Sequence, residues 1–250
     1  NLVAHRVKDA ASITKYLIES PVIKKINFTG STGVGRIIAE LAGRNLKPVL
    51  LELGGKAPAI VCDDADLELA AKECAVGAFL HAGQICMSTE RIIVFEKVLG
   101  EFETAFKKAV AEFAPEGGDK PVLINAVGVQ KNKKLLDDAV GKGARILHGD
   151  PKNGKDAMMM PVVVVGTKKE MDLYYTESFG PTVSVMPVNS EEEALELAND
   201  TEYGLSSAVF TKDLGRALRI AKGIESGAVH VNGMTVHDET ALPHGGKSWS

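Results

Sequence analysis

The stretch Lys25-Ile26-Asn27-Phe28-Thr29-Gly30-Ser31-Thr32-Gly33-Val34-Gly35-Arg36-Ile37-Ile38-Ala39-Glu40-Leu41-Ala42 decides the reading of the fold. Residues 25–28 read as a short strand, a glycine-rich turn follows, and the residues after Gly35 are good helix formers. Working outward, further apolar runs read as strands at residues 49–53, 59–62, 91–95, 161–165, 182–188, 207–210 and 228–231. Helical patterns lie between them: residues 9–19, stopping before Pro21; a helix opening after Asp63-Asp64-Ala65-Asp66; residues 99–113; and residues 214–224, closing at Gly227. Ser190 with Glu193 predicts a capping box ahead of Ala194. Val162-Val163-Val164-Val165 has no polar alternation, as in strands covered on both faces. The alternation of strand and helix predicts an α/β fold, and the Gly- and Pro-rich residues 115–121 read as a surface loop.

Composition narrows the function. The 250 residues are 45% hydrophobic and 25% charged, with a net charge of -4, ordinary for a soluble protein. That charge supplies no cationic face for nucleic acid or anionic lipid, and 5% aromatics leaves little for stacking bases. The longest apolar run, residues 158–166, is far below the ~20 residues that span a bilayer and is broken by Pro161. Neither nucleic acid nor membrane is an expected partner. Three cysteines cannot all pair within one chain, so a reducing compartment is expected. The chain opens on Asn1-Leu2-Val3 without an initiator Met and stops abruptly after Trp249-Ser250, so both ends read as cuts through a longer protein.

Three places carry candidate chemistry. The turn at Gly30, Ser31 and Gly35 sits between a strand and a helix N-terminus, where bare N–H groups face an anion. Its spacing is not the dinucleotide fingerprint, so a phosphate site and a purely structural turn both stay open. Glu52 ends an apolar strand just before Leu53-Gly54-Gly55, as a working base or as an ion-pair partner of Lys56. Cys86, in Gly83-Gln84-Ile85-Cys86-Met87-Ser88-Thr89-Glu90-Arg91, lies on a polar loop between helix and strand, whereas Cys62 and Cys74 fall in apolar settings. No neighbouring His marks a Cys–His pair, so inert and catalytic readings of Cys86 both stand.

Taken together, Phe28-Thr29-Gly30-Ser31-Thr32, Leu51-Glu52-Leu53-Gly54-Gly55-Lys56, Gly83-Gln84-Ile85-Cys86 and Glu177-Ser178-Phe179-Gly180-Pro181 resemble the aldehyde dehydrogenase superfamily in order and spacing. Residues 199–205, 230–232 and 243–248 extend the resemblance over the whole chain. It implies the aldehyde dehydrogenase fold, with Rossmann-like parallel sheets flanked by helices and the first part of the cofactor domain lacking. Residues 1–55 would be the C-terminal part of an NAD(P)-binding domain and residues 56–250 a catalytic domain, with the oligomerisation arm absent. The cofactor would be NAD or NADP. Cys86 would be the nucleophile, its backbone N–H part of an oxyanion hole, and Glu52 the base that activates water. Gly30, Ser31 and Gly35 would hold the pyrophosphate, Leu53 and Gly54 would border the nicotinamide, Glu177 would bind its ribose, and Phe179 would lie beside the ring. As a separate polypeptide these residues are expected to bind cofactor weakly and turn over little.

The wording of the motifs is similar to the branch acting on aromatic aldehydes such as vanillin or salicylaldehyde. The resemblance further implies a homodimer or homotetramer and a cytoplasmic location, with a mitochondrial one left open. Acylation of coenzyme A by the same thioester is a rival, as is a non-catalytic protein retaining the fold; Glu52 favours hydrolysis. His237, Asp238, Glu239 and His244 match no common metal spacing, and no metal is expected. Lys131, Lys133 and Lys134 read as a solvated helix face, residues 158–160 as core filler, and residues 237–242 as a segment lining the aldehyde's approach.

Overall fold

Alternating apolar and amphipathic segments give the chain its layers. In the computed structural model, residues 6–114, 118 and 120–250 are described; most of the expected loop at 115–121 falls outside them. The chain divides into two compact units, Asn1–Gly54 with Ser250, and Gly55–Trp249.

In the first unit, α1 (Ala10–Glu19), β1 (Ile26–Thr29), α2 (Thr32–Arg44) and β2 (Val49–Glu52) follow one another. The two strands pair in parallel, with Thr29 opposite Glu52. Ile18, Ile38 and Ala42 form the small core, and Phe28 and Val49 pack against it. Lys47 Nζ donates to the carbonyls of Ile18 and Ser20 (2.5 Å for the latter), placing a cation at the negative end of α1.

The second unit is a three-layer sandwich. Its elements are β3 (Ala57–Val61), α3 (Leu67–Phe79), β4 (Thr89–Phe95), α4 (Leu99–Phe113), α5 (Ala126–Gly141), β5 (Arg145–His148), β6 (Val162–Val165), α6 (Asp172–Tyr175), β7 (Thr182–Val188), α7 (Glu191–Asn199), β8 (Ser206–Phe210), α8 (Leu214–Gly223) and β9 (Ala228–Val231). The sheet order is β5-β6-β7-β4-β3-β8-β9. Every pairing is parallel except β5 with β6. Alternation along each strand splits the core. Val61, Ile92, Val94, Val183 and Phe210 meet α3 and α4, where Phe102 and Phe106 stack at 5.4 Å. Ile60, Ile93 and Val209 meet α7 and α8, while Val162 and Val164 meet α5. Because both faces are covered, the strands are almost wholly apolar.

Most expected elements form within a residue or two of their predicted edges. Asp66 caps α3 through the N–H of Leu69 (3.1 Å). The capping box is half realised: Ser190 Oγ accepts from Glu193 N (3.1 Å), but Glu193 reaches back to the N–H of Asn189 (2.6 Å) rather than Ser190. The last helix ends at Gly223, not Gly227; Gly227 is instead a point of close approach, where an added Cβ would stand 1.8 Å from the Gly245 carbonyl. The edge strand β5, the helix α5 and the short helix α6 were not anticipated in full. β5 is an antiparallel edge strand whose polar ends mask it, and α5 extends well beyond its lysine-bearing face. Lys131 and Lys134 are exposed on that helix, and Lys133 Nζ donates to Gly154 O (2.7 Å). Met159 is buried and its two methionine neighbours only half so.

At the carboxyl ends of β3, β4 and β8 a charged network ties the layers together. Arg216 bridges Asp63 (2.6 Å), Asp64 (2.9 Å) and Glu191 (2.8 Å), with its guanidinium 4.8 Å from the centre of the Phe95 ring. Asp64 also accepts from the Thr211 hydroxyl and the backbone of Lys212 and Asp213. Hydrogen bonds from Arg216 and Lys97 hold the Asp63 carboxyl below the usual carboxylate range. A depressed folded-state value means this stabilisation is present above the unfolded pKa of ~3.9 and fades as the pH falls through the lower folded value. The denaturant midpoint is therefore expected to drop on acidification below about pH 4. Asp63→Asn should shrink that drop; an identical pH profile in the variant would remove Asp63 from the cause.

Candidate active site

Parallel strands place their entry loops side by side. At the amino ends of β3, β4 and β7, neighbours in the sheet, lie Gly55-Lys56, residues 83–88 and residues 176–181. Binding sites of open α/β sheets usually lie at the carboxyl ends, which here carry the Arg216 network.

Cys86 is half-buried on the loop entering β4, and none of the three cysteines is in a disulfide. Beyond α3 the chain turns through three successive left-handed residues, His81 (φ 50), Ala82 (φ 59) and Gly83 (φ 72). For the two that carry a Cβ this costs about 1–2 kcal/mol each, so the surroundings must hold the turn. The Gln84 side chain does part of this: its amide donates to His81 O (3.0 Å) and Val122 O (3.1 Å) and accepts from Ile124 N (2.7 Å). Gly83 packs so closely that a Cβ would lie 2.2 Å from Gly180 O. On the other side, a Cβ at Gly55 would lie 2.1 Å from the carbonyl oxygen of Cys86. Thr235, fully buried, donates to Met87 O (2.6 Å) and meets Thr89 Oγ1 (2.8 Å), so the segment leading to residues 237–242 begins beside the cysteine loop.

Beneath these loops lies a buried ion pair. Lys56 Nζ donates to Glu90 Oε2 (2.5 Å) and to Thr176 O (2.7 Å). Glu90 also accepts from Ser178 N (2.7 Å), Ser178 Oγ (2.9 Å) and Phe179 N (3.1 Å). Burial pushes the Lys56 ammonium below its ordinary value, against the pull of Glu90. Arg91, next on the strand, donates to Lys56 O (3.0 Å) and to Leu197 O and Ala198 O (2.8 Å each), closing the end of α7. Burial lowers its guanidinium to about 10.

Glu177 accepts from Gly55 N (2.8 Å), and burial raises its carboxyl despite that bond. Phe179 is left-handed (φ 47) and 40% exposed. The second unit thus gathers Cys86, Glu177 and Phe179 on adjoining loops. Cys62 and Cys74 are sealed in the core; burial pushes the Cys62 thiol up to about 12 and also raises that of Cys74.

In the first unit, Gly30 N donates to Glu52 O (3.0 Å), and the half-buried Glu52 ends β2. Ser31 is the exposed N-cap of α2, and its side chain makes no capping hydrogen bond. Gly35 is buried, with a Cβ site 2.5 Å from Leu53 Cδ2, which gives it a packing role. Leu53 and Gly54 are buried too. An apolar groove of about 520 Å³ runs along α1 and α2 past Ala10, Thr14, Val34, Ile37 and Leu41. The alternative partner for Glu52 is corrected here: Lys56 is taken by Glu90. The sequence reading also missed Gln84, Glu90, Asn132 and Thr235 as organisers of the site. The available signal was Glu90-Arg91, two charges opening an otherwise apolar strand.

Compared with known proteins, residues 1–250 match the profile of the aldehyde dehydrogenase family. A vanillin dehydrogenase from Pseudomonas fluorescens is 47% identical over 251 residues, covering 98% of this chain and 52% of that protein. A salicylaldehyde dehydrogenase from Pseudomonas putida is 44% identical over 242 residues, covering 94% and 49%. The chain therefore spans about half the length of the curated relatives it matches. Among solved structures, a salicylaldehyde dehydrogenase from Pseudomonas putida complexed with salicylaldehyde superposes with a TM-score of 0.93 at 41% identity, covering 98% of this chain and 51% of that one. An NADP-dependent glyceraldehyde-3-phosphate dehydrogenase from Bacillus halodurans complexed with NADP gives 0.91 at 34%, covering 99% and 52%.

The close approach at Gly55 can be measured. Gly55→Ala is expected to cost about 1–3 kcal/mol in chemical denaturation, because backbone is what the new methyl meets. Gly100→Ala, in α4 with nothing within 4 Å, should instead gain up to about 1 kcal/mol. Equal effects at the two positions would contradict the packing described.

Proposed function

This chain belongs to the aldehyde dehydrogenase family, and on that footing we propose that the protein it forms oxidises an aldehyde to the carboxylic acid with NAD or NADP. The observation that carries the reading is the gathering of a half-exposed Cys86, Glu177 and Phe179 on adjoining loops, while the other two cysteines are sealed away. The division at Gly54 and Gly55 supports assigning residues 1–55 to the cofactor-binding domain and 56–250 to the catalytic domain.

The residues fit a dinucleotide. The first N–H groups of α2 have no acceptor within the helix, the Ser31 hydroxyl is not spent on capping, and the groove along α1 and α2 offers an apolar bed for a flat base. Gly30, Ser31 and Gly35 are assigned to the pyrophosphate, Leu53 and Gly54 to the nicotinamide's border, Glu177 to its ribose, and Phe179 to the ring. The bound nicotinamide supplies a hydride acceptor.

The remaining chemistry falls to this chain. Cys86 Sγ, as thiolate, bonds to the carbonyl carbon, and the carbonyl electron pair moves to oxygen, where the backbone N–H of Cys86 offers a hydrogen bond. Loss of hydride leaves the acyl group on Cys86 as a thioester. Glu52 takes a proton from water, the hydroxyl adds to the acyl carbon, and the C–S bond breaks to return the thiolate. An aromatic aldehyde is the proposed substrate, supported by the vanillin and salicylaldehyde dehydrogenases among the relatives above 40% identity. The family resemblance extends the proposal to a homodimer or homotetramer in the cytoplasm. Among the described residues, no helix is long and apolar enough to cross a membrane.

Steady-state kinetics of the intact enzyme with benzylic and short aliphatic aldehydes, using both cofactors, tests the assignment. Cys86→Ser is expected to lower kcat by at least about 1,000-fold, whereas parental turnover in that variant would refute the nucleophile. Glu52→Gln should give a stoichiometric burst of reduced cofactor followed by a steady state about 100- to 10,000-fold slower. An unaltered steady state would mean that another group activates the water.

A further inference from the structure

We infer that Glu90 is a positioning residue for cofactor binding: it fixes the loop that presents Glu177 by holding the two residues that follow it, while its ion-pair partner Lys56 holds the one before. The inference rests on the reading above, in which Glu177 takes the nicotinamide ribose. Glu177 sits between two anchored neighbours. Before it, Thr176 O accepts from Lys56 Nζ (2.7 Å). After it, Ser178 N and Phe179 N both donate to Glu90 Oε1 (2.7 and 3.1 Å), as does the Ser178 hydroxyl (2.9 Å). The Ser178 peptide is gripped from its other end as well, because Asn132, fully buried on α5, donates from Nδ2 to Ser178 O (3.2 Å).

These bonds oppose a backbone that would relax without them. Phe179 is held at φ 47, a conformation a bulky residue adopts only under constraint. Gly180 fills the remaining space: an added Cβ would lie 2.2 Å from Asn132 Nδ2. Glu177 itself has one fixed contact in this network, the Gly55 N–H (2.8 Å), so its carboxylate direction is inherited from the peptides beside it. Glu90 is 4% exposed and lies below the loop rather than on its surface, so it acts through Ser178 and Phe179. Its charge is balanced by Lys56, and the pair serves one end: a carboxylate placed to hold the N–H groups of Ser178 and of the left-handed Phe179.

A pair that only stabilises the fold would behave differently from one that aims a loop. Breaking a buried pair is strongly destabilising, whereas replacing both members by apolar residues of similar length is often neutral. Lys56→Met with Glu90→Met should therefore be less destabilised than either single replacement, while leaving Ser178 N and Phe179 N without their acceptor. In the intact enzyme, NADH and NADPH affinity, read by fluorescence, is expected to weaken by at least about tenfold in this double variant and in Glu90→Asp, which keeps the charge facing Lys56 but withdraws the acceptor by one methylene from Ser178 N and Phe179 N. Alkylation of Cys86 by iodoacetamide without cofactor should stay within about twofold of the parent, because the cysteine loop keeps its Gly55, Gln84 and Thr235 contacts. Parental cofactor affinity in either folded variant overturns the inference, and so does an equal loss of Cys86 alkylation, which would signal a general collapse of the site. If the double variant does not fold, Glu90→Asp alone decides. A parent that binds neither cofactor would instead remove the functional reading beneath the inference.

Discussion

A buried lysine and a buried glutamate make up the centre around which the loops of the second unit are arranged. Lys56 and Glu90 are 1% and 4% exposed, and their contact spans 34 positions of chain. Leaving either alone in that setting would cost about 3–5 kcal/mol, so the two strands that carry them are committed to being neighbours. The commitment spreads outward through hydrogen bonds. Thr176, Ser178 and Phe179 are fixed from below, and Arg91 gathers the start of β3 and the end of α7. The ion pair and Arg91 beside it therefore fix residues 176–179 and the end of α7 at one end of the sheet.

Backbone sterics complete what the charges begin. Gly55 against the Cys86 carbonyl, Gly83 against the Gly180 carbonyl, and Gly180 against the Asn132 amide are contacts with no space for a methyl group. The first two bring two loops within peptide distance and the third seats a loop on α5, approaches that a side chain would prevent. The left-handed turn at His81 and Ala82 is bearable because the Gln84 amide and these contacts define the path on both sides. Strain and crowding fall together at the loop that carries Cys86. The opposite end of the sheet is organised differently, around Arg216, Asp63, Asp64 and Glu191, partly exposed charges that secure loops without sealing a carboxylate from water.

Much of this architecture was legible in the chain itself, for a physical reason. A strand covered on both faces must be apolar along its length, and Val162–Val165 is. A helix start is signalled by a side chain that bonds an N–H three residues on, and Asp66 and Ser190 both do so. Cys62 and Cys74 announced their burial through apolar neighbours, and Cys86 its exposure through polar ones. The causes of these features lie within a few residues, so composition and spacing report them.

Features whose cause lies far along the chain were not legible. The strand at Arg145–His148 exists because Val163–Val165 offers it an edge, and nothing in its own residues demands extension. Lys56 has Glu52 four positions away as an eligible partner, yet the fold gives it Glu90, because parallel pairing of β3 with β4 sets those two side by side in a dry space. The close approaches at Gly55, Gly83 and Gly180 likewise involve atoms of segments distant in sequence. The amino-acid sequence by itself determined the alternation of elements, their caps and the cysteine left accessible, since local sterics, local hydrogen bonds and apolar periodicity act over short separations. Which charge neutralises which, and how the loop carrying Glu177 is held, were decided only when strands distant in sequence became adjacent in space.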